Sequence, residues 1–166
     1  MREARGRIAE VSAAPEEATR RLVFVNNCTK KRLPLSRKEI GRCALLVLGT
    51  VDAAVYELGV TFLDDAGMRA LNRKYAGKNH STDVLAFMLS GPPGHGAAGD
   101  VYISLERAVS QAREYGVGMK AEILRLLVHG ILHLAGYRDD RQPARGRMTR
   151  VQEKLVNALL EPEPGV

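Results

Sequence analysis

The segment from about Lys120 to Ala135 constrains this chain more than any other. Ile123, Leu124, Leu126, Leu127, Val128, Ile131, Leu132 and Leu134 surround nearly the whole circumference of a helix drawn through it. A helix that is apolar all round has to be covered on every side, so the fold must place this one at its centre. Yet it carries His129 and His133 at positions i and i+4, which puts both imidazoles on one face with Cβ atoms about 5–6 Å apart. Gly136 stands where a helix of this length takes its C′ glycine, so the chain can turn back over the last turn. Asp139 follows six residues after His133, within reach of the same point, and completes the pattern His-x3-His-x5-Asp. Two imidazole nitrogens and a carboxylate oxygen are a ligand set for Zn²⁺ at about 2.0–2.1 Å. The bland alternative is a pair of core histidines satisfied by backbone or water.

Three neighbouring residues sharpen that choice. Gly130 lies inside the helix, where it costs about 1 kcal/mol relative to Ala, and this implies close approach by another element or by a ligand. Asp139 and Asp140 follow the helix C-terminus, where the macrodipole disfavours negative charge and a cation would offset the cost. Asp140 can orient a ligand, act as a base or serve as a fourth ligand; it can equally pair with Arg138 or Arg141. Because Gly130 occupies the position after His129, the Glu of a His-Glu-x-x-His metallopeptidase helix is missing, and with it the general base of that chemistry.

The rest of the chain reads as short elements. Leu22–Asn27 is a β-type run, followed by the basic loop Lys30-Lys31-Arg32. Ser36 with Glu39 forms a capping box that opens a helix to about Leu48. Val55–Phe62 is a strand. Asp64 or Asp65 caps a helix carrying Met68, Leu71 and Tyr75. Gly77–Thr82 is a polar loop in which His80 either faces a cleft or is exposed. Val84–Leu89 is a buried strand, Gly91–Gly96 a surface loop containing His95, and Val101–Ile103 a fourth strand. Ser104 caps a helix over Leu105–Tyr115, ended by Gly116 and Gly118, and a last helix spans about Met148–Leu160. The expected fold is α+β: one domain over residues 21–160, with a small mixed sheet of about four strands around the central histidine-bearing helix. Residues 1–20 are expected to be an extension and 161–166 a frayed tail.

No apolar run is long enough to cross a bilayer, and residues 1–21 lack the apolar core of a secretory signal, so a cytoplasmic protein is expected. Cys28 and Cys43 are too far apart for a zinc ribbon or a redox pair and read as two reduced, buried thiols. The net charge of +6 is carried entirely by residues 1–42; the remainder balances. Arg138, Arg141, Arg145, Arg147 and Arg150 crowd just after the histidine helix and suit a phosphate backbone. Aromatic residues make up 5 % of the chain and Trp is absent, so base stacking is not the expected main source of affinity.

Leu126-Leu127-Val128-His129-Gly130-Ile131-Leu132-His133-Leu134-Ala135-Gly136-Tyr137 resembles the signature His-Gly-x-Leu-His-Leu-x-Gly-Tyr-Asp-His of the YbeY family. Leu71-Asn72, Tyr75, Lys78 and Thr82-Asp83-Val84-Leu85-Ala86-Phe87 are similar to its second block, and Gly99-Asp100-Val101-Tyr102-Ile103-Ser104 to its Gly-Asp-Ile-x-Ile-Ser block. The likeness runs in order from about Val55 to Leu160. It implies a zincin-like α+β fold and a metal-dependent, single-strand-specific endoribonuclease. The implied role is rRNA maturation, at the 16S rRNA 3′ end, and ribosome quality control. Implied partners are rRNA and the small ribosomal subunit, with no membrane and no nucleotide cofactor. One Zn²⁺ per chain, or another divalent metal, would sit on His129, His133 and Asp139. Lys78 would join them in catalysis, and Lys78, Arg138, Arg141, Arg145 and Arg147 would hold RNA.

Two positions depart from the family pattern. Its third metal histidine falls at Asp139, preceded by Arg138 in place of Asp. A carboxylate there lowers the site's net charge by one unit, which makes water at the site less acidic than among three imidazoles. The family's arginine after the block-two tyrosine, in the active cleft, falls at Ala76, leaving Arg73, Lys74 or Lys78 to supply positive charge without a bidentate fork. Those losses frame the alternative of a non-catalytic rRNA- or ribosome-binding assembly factor with a structural metal.

Overall fold

The computed structural model describes residues 20–90, 96–162 and 164–165. Its elements follow in the order β1 (Leu22–Asn27), α1 (Arg37–Thr50), β2 (Val55–Leu63), α2 (Asp65–Ala76), β3 (Val84–Leu89), β4 (Ala97–Ser104), α3 (Leu105–Tyr115), α4 (Met119–Leu134) and α5 (Ala144–Leu160). The expected extension falls largely outside the described residues, as do His95 and the loop around it. The four strands form one mixed sheet in the order β1-β2-β4-β3. β1 and β4 run parallel to β2, and β3 runs antiparallel to β4 as the opposite edge.

Period-two alternation turns Leu58, Val60 and Phe62 of β2 and Val101 and Ile103 of β4 to one face, where all are buried. α4 packs across this face, contacting β3 and β4, and is flanked by α1, α3 and α5. The helix that had to be central is the hub of the molecule. Gly130 sits where it touches the sheet: a Cβ there would lie 2.6 Å from Val101 Cγ1 and 3.3 Å from Val84 Cγ2. The close approach implied by this glycine is therefore made by strands β3 and β4, and not by a ligand. Gly99 does the same from the sheet side, where a Cβ would meet Leu134 Cδ1 at 2.8 Å.

The caps follow the expected chemistry. Ser36 Oγ accepts from Glu39 N at 3.1 Å while the Glu39 carboxylate accepts from Ser36 N at 2.7 Å, closing the capping box of α1. Of the two candidate caps for α2, Asp64 takes the role, accepting from Gly67 N at 2.8 Å. Asp65 instead joins three elements: its Oδ1 accepts from Ser81 Oγ and Ser104 Oγ, both at 2.8 Å, and faces Arg107.

Four expectations need correction. Val84–Leu89 is a strand but not a buried one: it forms an edge of the sheet, none of its residues is buried, and Met88 and Leu89 are exposed. Cys43 is buried, but Cys28, which follows the edge strand β1, is exposed. β4 begins at Ala97, four residues before the expected start, because pairing with β2, joined by β3 from Ala98 on, holds the small residues Ala97-Ala98-Gly99 extended. α5 begins at Ala144, four residues before its first expected apolar position. That first turn is fixed by polar bonds, with Gln142 Oε1 accepting from Gly146 N at 3.1 Å.

Candidate metal centre

His129 and His133 project from the α4 face that meets α5. Beyond them the helix closes in a Schellman turn: Gly136 N donates to His133 O and Tyr137 N to Leu132 O, both at 3.0 Å, with Gly136 at φ 94°. This reversal carries the chain back over the last turn of the helix. Arg145, from the first turn of α5, then grips the returning loop, donating to Asp139 O at 2.8 Å and Asp140 O at 3.3 Å. Arg138 closes on the Asp140 carboxylate through two bonds of 2.8 and 3.2 Å. Asp139 is left with its carboxylate facing the histidines, Oδ2 lying 3.3 Å from His129 Nε2 and 3.4 Å from His133 Nε2.

The two Nε2 atoms are 3.0 Å apart. Their partners on the other side of each ring decide where the protons are. His129 Nδ1 lies 2.7 Å from Gln152 Oε1, and His133 Nδ1 lies 3.2 Å from Tyr137 O. Both partners are carbonyl oxygens, which only accept, so both Nδ1 atoms carry hydrogen, and in the neutral rings both Nε2 atoms present lone pairs. Two lone pairs and a carboxylate oxygen at 3.0–3.4 Å repel one another unless a cation stands among them. Ligand atoms about 2.0–2.1 Å from one tetrahedral ion lie about 3.3 Å apart, so the three residues fit a single divalent metal. They are the one such cluster among the described residues. The Asp139 side chain is 43 % exposed, so the centre opens to solvent on its side.

Asp140 is not part of the cluster; its carboxylate is engaged by Arg138, and hydrogen bonding from that guanidinium holds it below the ordinary carboxylate range. Among the arginines singled out from the sequence, Arg138 and Arg145 are thus bound to the ligand loop itself, while Arg141, Arg147 and Arg150 are exposed around it. Arg147 lines, with Tyr137, Arg138 and Ala144, a cavity of about 290 Å³ beside the ligand turn. Lys78 is exposed on the loop after α2, which Asn72 pins by donating to His80 O at 2.9 Å. His80 is exposed, with its Nδ1 3.2 Å from Ser81 O. Among the described residues no bond joins Lys78 or His80 to the three-residue cluster. Ala76 ends α2 and is exposed.

Sequence reasoning missed Gln152, which the i, i+4 pattern of the histidines cannot reveal because it comes from α5. It also missed the aromatic row Tyr75–Phe87–Tyr102, with ring centroids 5.3 and 6.0 Å apart, which is assembled from three elements.

A family model described as Endoribonuclease YbeY matches residues 25–160. Proteins named Endoribonuclease YbeY from Anaeromyxobacter sp. (strain Fw109-5) and Anaeromyxobacter dehalogenans (strain 2CP-C) are 44 % and 46 % identical over 69 % of this chain. The chain spans 58 % of the length of each of those two relatives. One of the same name from Geobacter sulfurreducens is 34 % identical over 80 % of this chain and 91 % of its own length. The solution structure of TM1509 from Thermotoga maritima shares the fold, with a TM-score of 0.53 at 23 % identity, covering 87 % of this chain and 99 % of that one.

Proposed function

Because this chain belongs to the YbeY family, we propose that it is a metal-dependent endoribonuclease acting at His129, His133 and Asp139. The observation that carries the reading is the convergence of two imidazole lone pairs and one carboxylate at 3.0–3.4 Å on a rigid, buried helix. Zn²⁺ suits two neutral imidazoles and a carboxylate, and three protein ligands leave a fourth position open, as catalytic sites do. When bound, such an ion supplies Lewis acidity, acidifying water and polarising a phosphoryl oxygen. The chain's own residues do the rest. Asp139 and the two histidines fix the reacting centre, while Arg141, Arg147 and Lys78 draw in and align the phosphate backbone. Asp140 pairs with Arg138 and lies outside the three-residue cluster, which supports a fourth position left open.

Single-stranded rRNA is the substrate of choice. The match of this chain to the endoribonuclease family supports that choice. Processing of small-subunit rRNA in the cytoplasm, and a part in ribosome quality control, complete the proposal. Ala76, where a guanidinium would neutralise charge at a scissile phosphate, favours the assembly-factor reading with a structural metal.

The deciding experiment is elemental analysis of the purified chain and its His133→Ala variant, paired with cleavage of a labelled single-stranded rRNA fragment. Near-stoichiometric metal and metal-dependent cleavage, both lost in the variant, are expected. Metal without cleavage would favour the assembly factor, and no metal in either protein would refute the centre.

A further inference from the structure

The seam between α4 and α5 carries a line of polar groups that the proposed reaction does not use. Arg125, one turn before His129, donates from Nε and Nη2 to the Glu153 carboxylate at 2.9 and 3.2 Å. Its Nη1 donates to Glu122 at 2.9 Å, and Glu122 is 1 % exposed. The guanidinium is therefore pinned between two carboxylates, and Glu153 is pinned by it in turn. The Arg125–Glu122 half is buried, where breaking a pair is strongly destabilising, while Glu153, 40 % exposed, is held by the two-bond fork of the guanidinium.

Glu153 Oε1 accepts from Gln152 Nε2 at 3.4 Å. This contact decides which way the Gln152 amide faces. Its nitrogen points to the carboxylate, so its oxygen points to His129 Nδ1 at 2.7 Å. An amide flipped end for end would set N–H against Nδ1 and call for the other tautomer, with the proton on Nε2, where the ring cannot bind a metal. Hydrogen bonds of this kind to the far nitrogen of a ligating histidine set both its tautomer and its orientation.

We propose that Gln152 is a positioning residue that fixes His129 in the Nδ1–H tautomer and so presents Nε2 as a metal ligand, an inference that rests on the metal-centre reading above. Gln152 is not one of the three residues of the cluster. It acts through His129, held in turn by the Arg125–Glu153 pair.

The test uses the full chain as wild type, Gln152→Leu, which removes the acceptor, and Gln152→Glu, which keeps an acceptor oxygen. The first measurement is the ¹⁵N NMR spectrum of the histidine rings in metal-free protein at about pH 8, above the ordinary histidine range. His129 Nδ1 should be of the protonated type in wild type and Gln152→Glu, and lose that state in Gln152→Leu. The second is Zn²⁺ affinity by chelator competition. Gln152→Leu should bind about 10–100-fold more weakly, and Gln152→Glu at least about as tightly as wild type. A role in packing alone would lower the melting temperature of the variants without touching the tautomer or separating Leu from Glu. An unchanged His129 tautomer in Gln152→Leu, or unchanged Zn²⁺ affinity where wild type binds, overturns the proposal. Absence of Zn²⁺ binding by wild type would bring down the metal-centre reading and the ligand half of this proposal, and the NMR result would separately decide what Gln152 does to His129.

Discussion

Replacing Gly130 by Ala sets two effects of known size against each other. Inside a helix the change should stabilise by about 1 kcal/mol, since Gly is among the poorest helix formers and Ala the best. Here the new methyl would stand 2.6 Å from Val101 Cγ1 and 3.1 Å from Val101 Cγ2, with Val84 Cγ2 at 3.3 Å. Carbon atoms rest about 3.5–4.0 Å apart, so the overlap with Val101 approaches 1 Å. Val101 is fully buried on β4, between β2 and β3. Its branched side chain is stiff about χ1, and rotation would only exchange one clashing methyl for the other. The helix must lift from the sheet, at an overpacking cost of about 1–3 kcal/mol, so the net effect is a loss of about 1 kcal/mol. Gly41 in α1 is the control, because a Cβ there meets nothing within 4 Å and the same change should gain about 0.5–1 kcal/mol. Urea midpoints at constant slope read both values. In a Val101→Ala background Gly130→Ala should become neutral or stabilising, a coupling of about 1 kcal/mol or more. Equal stabilisation at both glycines, or no coupling to Val101, would refute the packing argument.

Two further outcomes are expected. Burial, with a smaller push from Glu57, raises the Asp100 carboxyl above its ordinary range despite the Tyr102 hydroxyl. An acid raised in this way costs stability once it must ionise, so the cost is absent below the unfolded-state value of about 3.9 and grows as pH climbs through the folded value. Asp100→Asn should therefore stabilise the chain at neutral pH, and the gain should vanish in acid unfolding curves below that range; a gain independent of pH would contradict it. Arg147→Ala should lower the slope of RNA affinity against salt by about one unit, the signature of a lost phosphate contact. Arg145→Ala should instead weaken Zn²⁺ binding by about tenfold through the freed Asp139 loop, with little change in that slope; titrations of both variants distinguish the two roles.

The central helix, its two histidines and the returning aspartate were legible because they lie within one short stretch whose geometry is fixed by helical spacing and a glycine turn. The capping box at Ser36 and the caps at Asp64 and Ser104 were legible for the same reason. What escaped was set by contacts between distant segments. Gln152 reaches His129 from another helix, and nothing in its own neighbourhood marks it. Arg138 and Arg145 read as part of a basic track, yet their fork geometry is spent on Asp140 and on backbone carbonyls of the ligand loop. Ala97-Ala98-Gly99 has no strand propensity and is extended because β2 pairs with all three residues and β3 with the last two. Cys28 looked like a core thiol only because its place after an edge strand was unknown.

The strand order has a consequence for the newly made chain. β1 and β2 are neighbours in the sheet with α1 packed on β1, but the second partner of β2 is β4, and the helix that packs on β4 and β3 is α4. A ribosome adding 5–20 residues per second needs roughly 4–14 s to go from the end of β2 to the end of α4, about 70 residues later. Throughout that interval Leu58, Val60 and Phe62 have α1 beside the neighbouring strand β1, but neither β4 at the open edge of β2 nor the central helix that completes their core. Synthesis from the N-terminus thus leaves the oldest strands waiting for the youngest third of the molecule. A nascent chain stalled before Leu134 should be held by chaperones, and one released after Leu160 should not.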